Sequence, residues 1–193
     1  MARVAFIVDQ LFEDSEFRVP YERVRGAGHE AVVIAVDAKE ELAGKRGQEK
    51  IKADMAIDQV GAQEFDALVI PGGFSPDRLR TNRKMVGLTR DIFNAGKPVA
   101  AICHAGWMLV EADIADGRTL TSWPSLKTDL INAGARWVDR EVVEDENLIT
   151  SRKPEDLEAF SAALLRQSEH GAAEPLRARV GRGAAAEAHK DRG

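Results

Sequence analysis

The hydrophobic residues of this chain gather in short, nearly unbroken runs, separated by longer stretches in which apolar residues recur at helical spacing. Val4 to Val8, closed by Asp9, is one such run, and Ala31 to Val36, Ala67 to Ile70 and Pro98 to Ile102 are others. A run that is apolar at every position has no solvent face, so each predicts a strand buried on both sides, as in a parallel sheet. Between the runs the pattern predicts helices. Ser15 to Gly28 carries Phe17, Val19, Tyr21 and Val24 among charges, and Pro76 to Ala95 carries Leu79, Met85, Leu88, Ile92 and Phe93 on one face, with Gly96 as the stop. His104 to Ala115 predicts a third helix. Fainter patterns predict strands at Leu120 to Ser122, near Val142 and at Leu148 to Thr150, and helices at Pro124 to Ala133 and Pro154 to Gln167. From Asp37 to Val60 the pattern is polar and broken, with Gly44 and Gly47 flanking Lys45 and Arg46, which predicts a hairpin or irregular excursion to which no chemistry is assigned. Strands alternating with helices imply right-handed βαβ crossovers and a doubly wound α/β fold.

Length and composition set limits on this picture. At 193 residues and about 150 per domain, one domain with an appendage is expected. The patterned part spans residues 1–167. Residues 168–193 are rich in alanine and glycine, have only Leu176 and Val180 as large aliphatics, and are expected to form a solubilising tail that stays mobile unless a partner subunit holds it. A 44% hydrophobic content suffices for a core without disulfides or metals, which agrees with a cysteine count of one. A single thiol, no secretory leader pattern and no 18-residue apolar run point to a reducing cytoplasm and away from a membrane. With 27 basic against 32 acidic residues there is no positive surplus to attract nucleic acid.

The lone thiol then becomes the centre of interest. Cys103 falls at the carboxyl end of a predicted strand, where open α/β sheets place their ligand sites. It sits in Ala100-Ala101-Ile102-Cys103-His104-Ala105-Gly106, whose small residues on both sides suit a tight strand-to-helix turn that exposes a nucleophile. The amides that open the following helix favour a thiolate and a neighbouring oxyanion, and His104 could act as its base. A small buried hydrophobe is the bland alternative for Cys103. Pro71-Gly72-Gly73, at the end of another strand, can bring a backbone amide close to a ligand or simply make a turn. Glu13, Asp14 and Glu16 after the first strand are either dipole partners of a helix or a carboxyl leaning toward Cys103. Acids at this position would repel a phosphate, which argues against a flavin, and no cofactor or metal is expected.

Ala101-Ile102-Cys103-His104, Pro71-Gly72-Gly73 and Phe12-Glu13-Asp14-Ser15-Glu16 together resemble the PfpI branch of the ThiJ/PfpI superfamily. The likeness continues through Gly44-Lys45, Thr121-Ser122-Trp123-Pro124, Trp137-Val138-Asp139 and Thr150-Ser151-Arg152, and covers about residues 3–167. It implies a three-layer flavodoxin-like sandwich related to class I glutamine amidotransferases, with a mostly parallel sheet and a nucleophile elbow. It also implies Cys103 as nucleophile, Glu16 as the carboxylic acid beside the sulfur, and the Gly73 and His104 amides as the oxyanion hole. His104 would be the catalytic histidine, oriented by Asp77 of a neighbouring subunit in a homo-oligomer, a dimer or a hexamer. The chain departs from the family pattern at Asp77, where glutamate is usual, and at Ala105-Gly106-Trp107, where Gly-Pro commonly follows the histidine and which here places an indole near the pocket. The implied activity is that of an intracellular stress-response cysteine hydrolase, acting on peptide bonds or on aldehyde-derived adducts. A protective redox sensor whose cysteine oxidises to sulfinate is the alternative. A protonated Glu16 would serve either by donating to the sulfur.

Overall fold

The computed structural model describes residues 1–171. In chain order its strands are β1 (Arg3–Ile7), β2 (Glu30–Ala35), β3 (Glu41–Ala43), β4 (Lys50–Lys52), β5 (Met55–Ala56), β6 (Ala67–Ile70), β7 (Val99–Ile102), β8 (Thr119–Leu120), β9 (Arg136–Trp137), β10 (Val142–Asp145) and β11 (Leu148–Ser151). Its helices are α1 (Asp14–Gly26), α2 (Ser75–Leu79), α3 (Arg83–Asn94), α4 (Gly106–Glu111), α5 (Lys127–Asn132) and α6 (Leu157–Gly171).

Seven strands form one sheet in the order β10-β11-β7-β6-β1-β2-β5. All its pairs are parallel except β10 with β11. The unbroken apolar runs follow from this, because helices cover both faces and successive side chains point to opposite sides. Val4 and Phe6 of β1 join Phe17 and Val24 of α1 and Phe160 and Leu164 of α6 in one core. Ala5 and Ile7 join the other core, with Leu79, Met85, Leu88, Ile92, Met108 and Leu130 of α2 to α5. The result is the three-layer α/β sandwich expected from the sequence.

Several element boundaries differ from expectation. The helix expected from Pro76 to Ala95 is two helices. Asn82 stops the continuation and caps α3, its side-chain oxygen accepting from the N–H groups of Lys84 and Met85. His104 to Ala115 shrinks to a 3-10 turn at Cys103–Ala105 followed by the short α4. Pro124 and Pro154 likewise open 3-10 turns ahead of α5 and α6. The polar stretch after β2 contains the antiparallel β3–β4 hairpin and also β5, which pairs with β2 at the sheet edge. Helix α6 runs to Gly171, past the expected boundary at 167. The rest of the expected tail, residues 172–193, lies outside the described residues. Among the described residues no helix is long and apolar enough to cross a membrane.

Candidate active site

Three adjacent strands, β1, β6 and β7, deliver their carboxyl ends to one place. Cys103 follows β7, Gly72 and Gly73 follow β6, and α1, which carries Glu16, follows β1. Cys103 is buried and adopts φ 62°, a left-handed conformation that costs an L-residue about 1–2 kcal/mol. Ile102 before it is still extended, at φ −123° and ψ 146°. The chain therefore reverses sharply at the sulfur-bearing residue, which is the elbow that the small neighbours were expected to permit.

The sulfur has four neighbours of interest. His104 Nδ1 lies 3.2 Å from Cys103 Sγ. The backbone N–H groups of His104 and Gly73 both donate toward the sulfur. Glu16, fully buried, accepts the Gly72 N–H on Oε2 at 2.9 Å, while its Oε1 has no hydrogen-bond partner. Gly72 is squeezed between these groups, since a Cβ there would stand 2.5 Å from Glu16 Oε2 and 2.7 Å from Cys103 Cβ.

Electrostatics fix the resting protonation states. Burial, reinforced by the Glu13 charge, pushes the Glu16 carboxyl up to about 8, so at neutral pH it holds a proton. That proton belongs on Oε1, the oxygen without an N–H donor. Burial, followed by the Glu16 charge, pushes the Cys103 thiol well above its ordinary range, and the two backbone amides offset only part of this. Burial and then the Lys45 charge lower the His104 imidazole, which is therefore neutral. The site rests as thiol, neutral imidazole and carboxylic acid, with the sulfur hydrogen-bonded to the Glu16 side chain and 3.2 Å from His104 Nδ1.

An open cleft of about 790 Å³ gives access to these groups. Its walls include Cys103, His104 and Glu16, but also Lys45, Arg46, Trp123 and Arg152. Lys45 and Arg46, to which the sequence assigns no chemistry, stand in the wall of this cleft. Lys45 Nζ stands 2.6 Å and Arg46 Nε 3.3 Å from the buried Glu13 carboxylate. Their loop is fastened by Asp14, which accepts backbone N–H groups from Arg46, Gln48 and Glu49 at 2.8–2.9 Å. Burial alone would raise the Asp14 carboxyl, but these N–H groups hold it below its ordinary range. Gly44 is the residue that lets the loop close on it, because a Cβ there would fall 2.3 Å from Asp14 Oδ1. Asp14→Asn turns one acceptor oxygen into an NH2 facing amide donors. It is expected to destabilise the protein by about 1–3 kcal/mol and to open the loop to trypsin after Lys45 or Arg46. Fragment masses after brief digestion check this, and an unchanged cleavage pattern and stability would refute it.

Arg152, also in the lining of the cleft, is held charged by hydrogen bonds to Asp156 and then Asp139, at 2.8 and 2.7 Å. Asp77 is not brought to this cleft. It lies on α2, in the wall of a separate hollow with Asp9, Asp37, Glu40 and Arg78. Within one chain, then, no expected carboxylate orients His104. Its ring instead lies against two indoles, Trp107 at 5.2 Å between centroids and Trp123 at 6.2 Å.

Residues 2–167 match the DJ-1/PfpI family. The chain belongs to that family. Among its relatives is "Protein/nucleic acid deglycase 2" of Escherichia coli strain K12, 46% identical over 165 residues, covering 85% of this chain and 96% of the relative. "General stress protein 18" of Bacillus subtilis strain 168 is 43% identical over 164 residues, covering 84% and 95% respectively. Among solved structures, a two-domain protein of Anabaena variabilis with DJ-1/ThiJ/PfpI-like and ferritin-like domains superimposes with a TM-score of 0.87 at 39% identity. The alignment covers 94% of this chain and 52% of that one, so the present DJ-1/PfpI protein spans about half its length.

Proposed function

We propose that this DJ-1/PfpI protein is a cysteine-dependent hydrolase that removes aldehyde-derived adducts from amines and thiols, the deglycase type of activity, as part of a stress response in a reducing cytoplasm. The observation that carries the reading is Cys103 on a strained elbow, with a neutral imidazole 3.2 Å from its sulfur and two backbone amides converging on it. As Sγ bonds to the adduct's carbonyl carbon, the thiol proton passes to His104 Nδ1. The carbonyl π pair becomes an oxyanion, which the Gly73 and His104 N–H groups stabilise. Glu16, neutral, adds no repelling charge and can donate to the sulfur or to the oxyanion. For a methylglyoxal adduct of an amine, the oxyanion is then protonated and the amine leaves with the hydroxyl proton from the neighbouring aldehyde-derived carbon. Water adds to that carbon, and its hydrogen shifts with its electron pair to the sulfur-bearing carbon as the C–S bond breaks, so that adduct plus one water gives the free amine, lactate and the regenerated thiol. The relative named as a deglycase supports this substrate class over peptide bonds.

A sensor that oxidises readily would rest as thiolate, whereas burial favours the thiol here. Asp77 of a second copy would serve as His104's carboxylate only in a homo-oligomer.

The test compares the chain with Cys103→Ala on methylglyoxal-treated peptide and on an unmodified unfolded peptide. We expect lactate from the treated peptide with the native chain and at least a thousandfold less with the variant, on the scale of losing a covalent nucleophile. Equal lactate from both proteins would refute the proposal, and cleavage of the untreated peptide alone would move the substrate class to peptide bonds.

A further inference from the structure

The imidazole of His104 has to present Nδ1 to the sulfur, and among the described residues the one side-chain hydrogen bond its ring makes is to that sulfur. Among the described residues, its recorded side-chain contacts are Cys103 Sγ and the two indoles. Trp123 is near-parallel to it, with 25° between the planes, and Trp107 is tilted at 58°. The Trp107 indole and the Trp123 backbone are each anchored. Trp107 stands in the first turn of α4 and donates Nε1–H to Asp129 Oδ2 of α5 at 3.3 Å. The Trp123 N–H donates to the Cys103 carbonyl oxygen at 3.2 Å, and the Trp123 carbonyl accepts from Ser122 Oγ at 2.9 Å and from the Leu126 N–H at 3.1 Å. The vise and the elbow therefore share a hydrogen bond.

We infer that Trp107 and Trp123 are positioning residues: they clamp the His104 imidazole between them and hold Nδ1 on the Cys103 sulfur, doing with two ring faces what an orienting carboxylate does in other cysteine hydrolases. The inference rests on the assignment of Cys103 and His104 given above. A carboxylate holds an imidazole by a directed hydrogen bond and also stabilises its protonated form. Aromatic faces restrict the ring without adding an anion, so the imidazole stays neutral and ready to accept the thiol proton. Both Trp107 and the Gly106 ahead of it are used. A Cβ on Gly106 would stand 3.1–3.6 Å from the side-chain carbons of Leu126 and Leu130, so the glycine lets α4 pack closely there, beside the α5 residue that Trp107 bonds.

The experiment alkylates the chain with iodoacetamide across pH 6 to 9. Only Cys103 can report, because it is the one cysteine. This readout needs no turnover, so it stays interpretable even if the deglycase assignment fails the Cys103→Ala test. Aromatic contacts of this kind predict that Trp107→Ala and Trp123→Ala each slow alkylation near pH 7 by about three- to tenfold. Trp107→Phe and Trp123→Phe should recover to within about twofold, since a phenyl ring restores the face. In a His104→Ala background the same tryptophan substitutions should change the rate by less than about twofold, because the group they position is gone. Where turnover is measurable, kcat should fall and KM should stay within about twofold. Alkylation by the alanine variants within twofold of the native chain would overturn the inference. So would an undiminished slowing in the His104→Ala background, or alanine-like rates for the phenylalanine variants.

Discussion

Gly73→Ala is expected to destabilise the protein by about 3 kcal/mol or more and to abolish Cys103-dependent turnover. Two costs combine. Gly73 has φ 79°, where an L-residue loses about 1–2 kcal/mol. A Cβ there would also stand 2.5 Å from Glu13 N and 2.5 Å from Leu11 O. Both are backbone atoms, and the segment that carries them is pinned on each side: Phe12 bridges to Gly73 and to Gly44, the Phe74 N–H donates to the Leu11 carbonyl, and the Glu13 N–H donates to that of Gly72. With no flexible side chain to yield, overpacking adds about 1–3 kcal/mol. The displaced amide is one of the two that converge on the sulfur, so activity should fall further than stability. Gly47→Ala is the control, with φ 68° but nothing within 4 Å of the added carbon, and should cost only about 1 kcal/mol. Urea midpoints of the two variants decide the matter. Equal midpoints would show that segment 11–13 gives way and that the close packing has no energetic weight.

The second large effect is a dependence on pH at Glu16. Its carboxyl ionises near 4.5 in the unfolded chain and at about 8 in the folded one. Between those values the folded state keeps a proton that the unfolded state has released, so stability is fully present below about 4.5 and is lost as pH rises through 8. A gap of this size corresponds to roughly 5 kcal/mol as an upper figure. Glu16→Gln keeps a neutral side chain and an acceptor for the Gly72 N–H, so it should approach native stability near pH 5 and exceed it by a few kcal/mol at pH 9. The native-minus-variant difference in urea midpoint, followed across this range, checks the sign. A difference that does not change with pH would mean that Glu16 is ionised in the folded site throughout. The same variant should alkylate faster than the native chain above pH 8, because no carboxylate then forms beside the sulfur.

How far the sequence foretold this molecule depended on whether the information was local. The runs at Val4, Ala31, Ala67 and Pro98 translate directly into β1, β2, β6 and β7, because a strand covered on both faces needs an apolar side chain at every position. The elbow at Cys103 was visible in its small neighbours for the same reason. The break at Asn82 was not, since Leu79 and Met85 keep one apolar periodicity across it and only the asparagine's side-chain bonds reveal the new start. Lys45 and Arg46 were missed because their route to the cleft runs through Asp14, 32 residues away from Arg46 in sequence. Neither the hairpin's composition nor its spacing records that bond. Trp123 was visible only as part of a family likeness, and its contact with His104 arises from a chain return after α4 that no periodicity encodes.

The two ends of the central sheet also constrain how copies of this protein can meet. One edge strand, β5, is only two residues long and ends in a 3-10 turn at Ile57–Gln59, which leaves almost no ladder to extend. The other, β10, runs antiparallel, carries Glu144 and Asp145, and has Asp145 bonded to the Thr119 N–H and to Arg118. Short edges and edges bearing charge resist strand-to-strand pairing. A central sheet continuous across two molecules is thereby disfavoured, and fibrous growth through those rows of amides is suppressed.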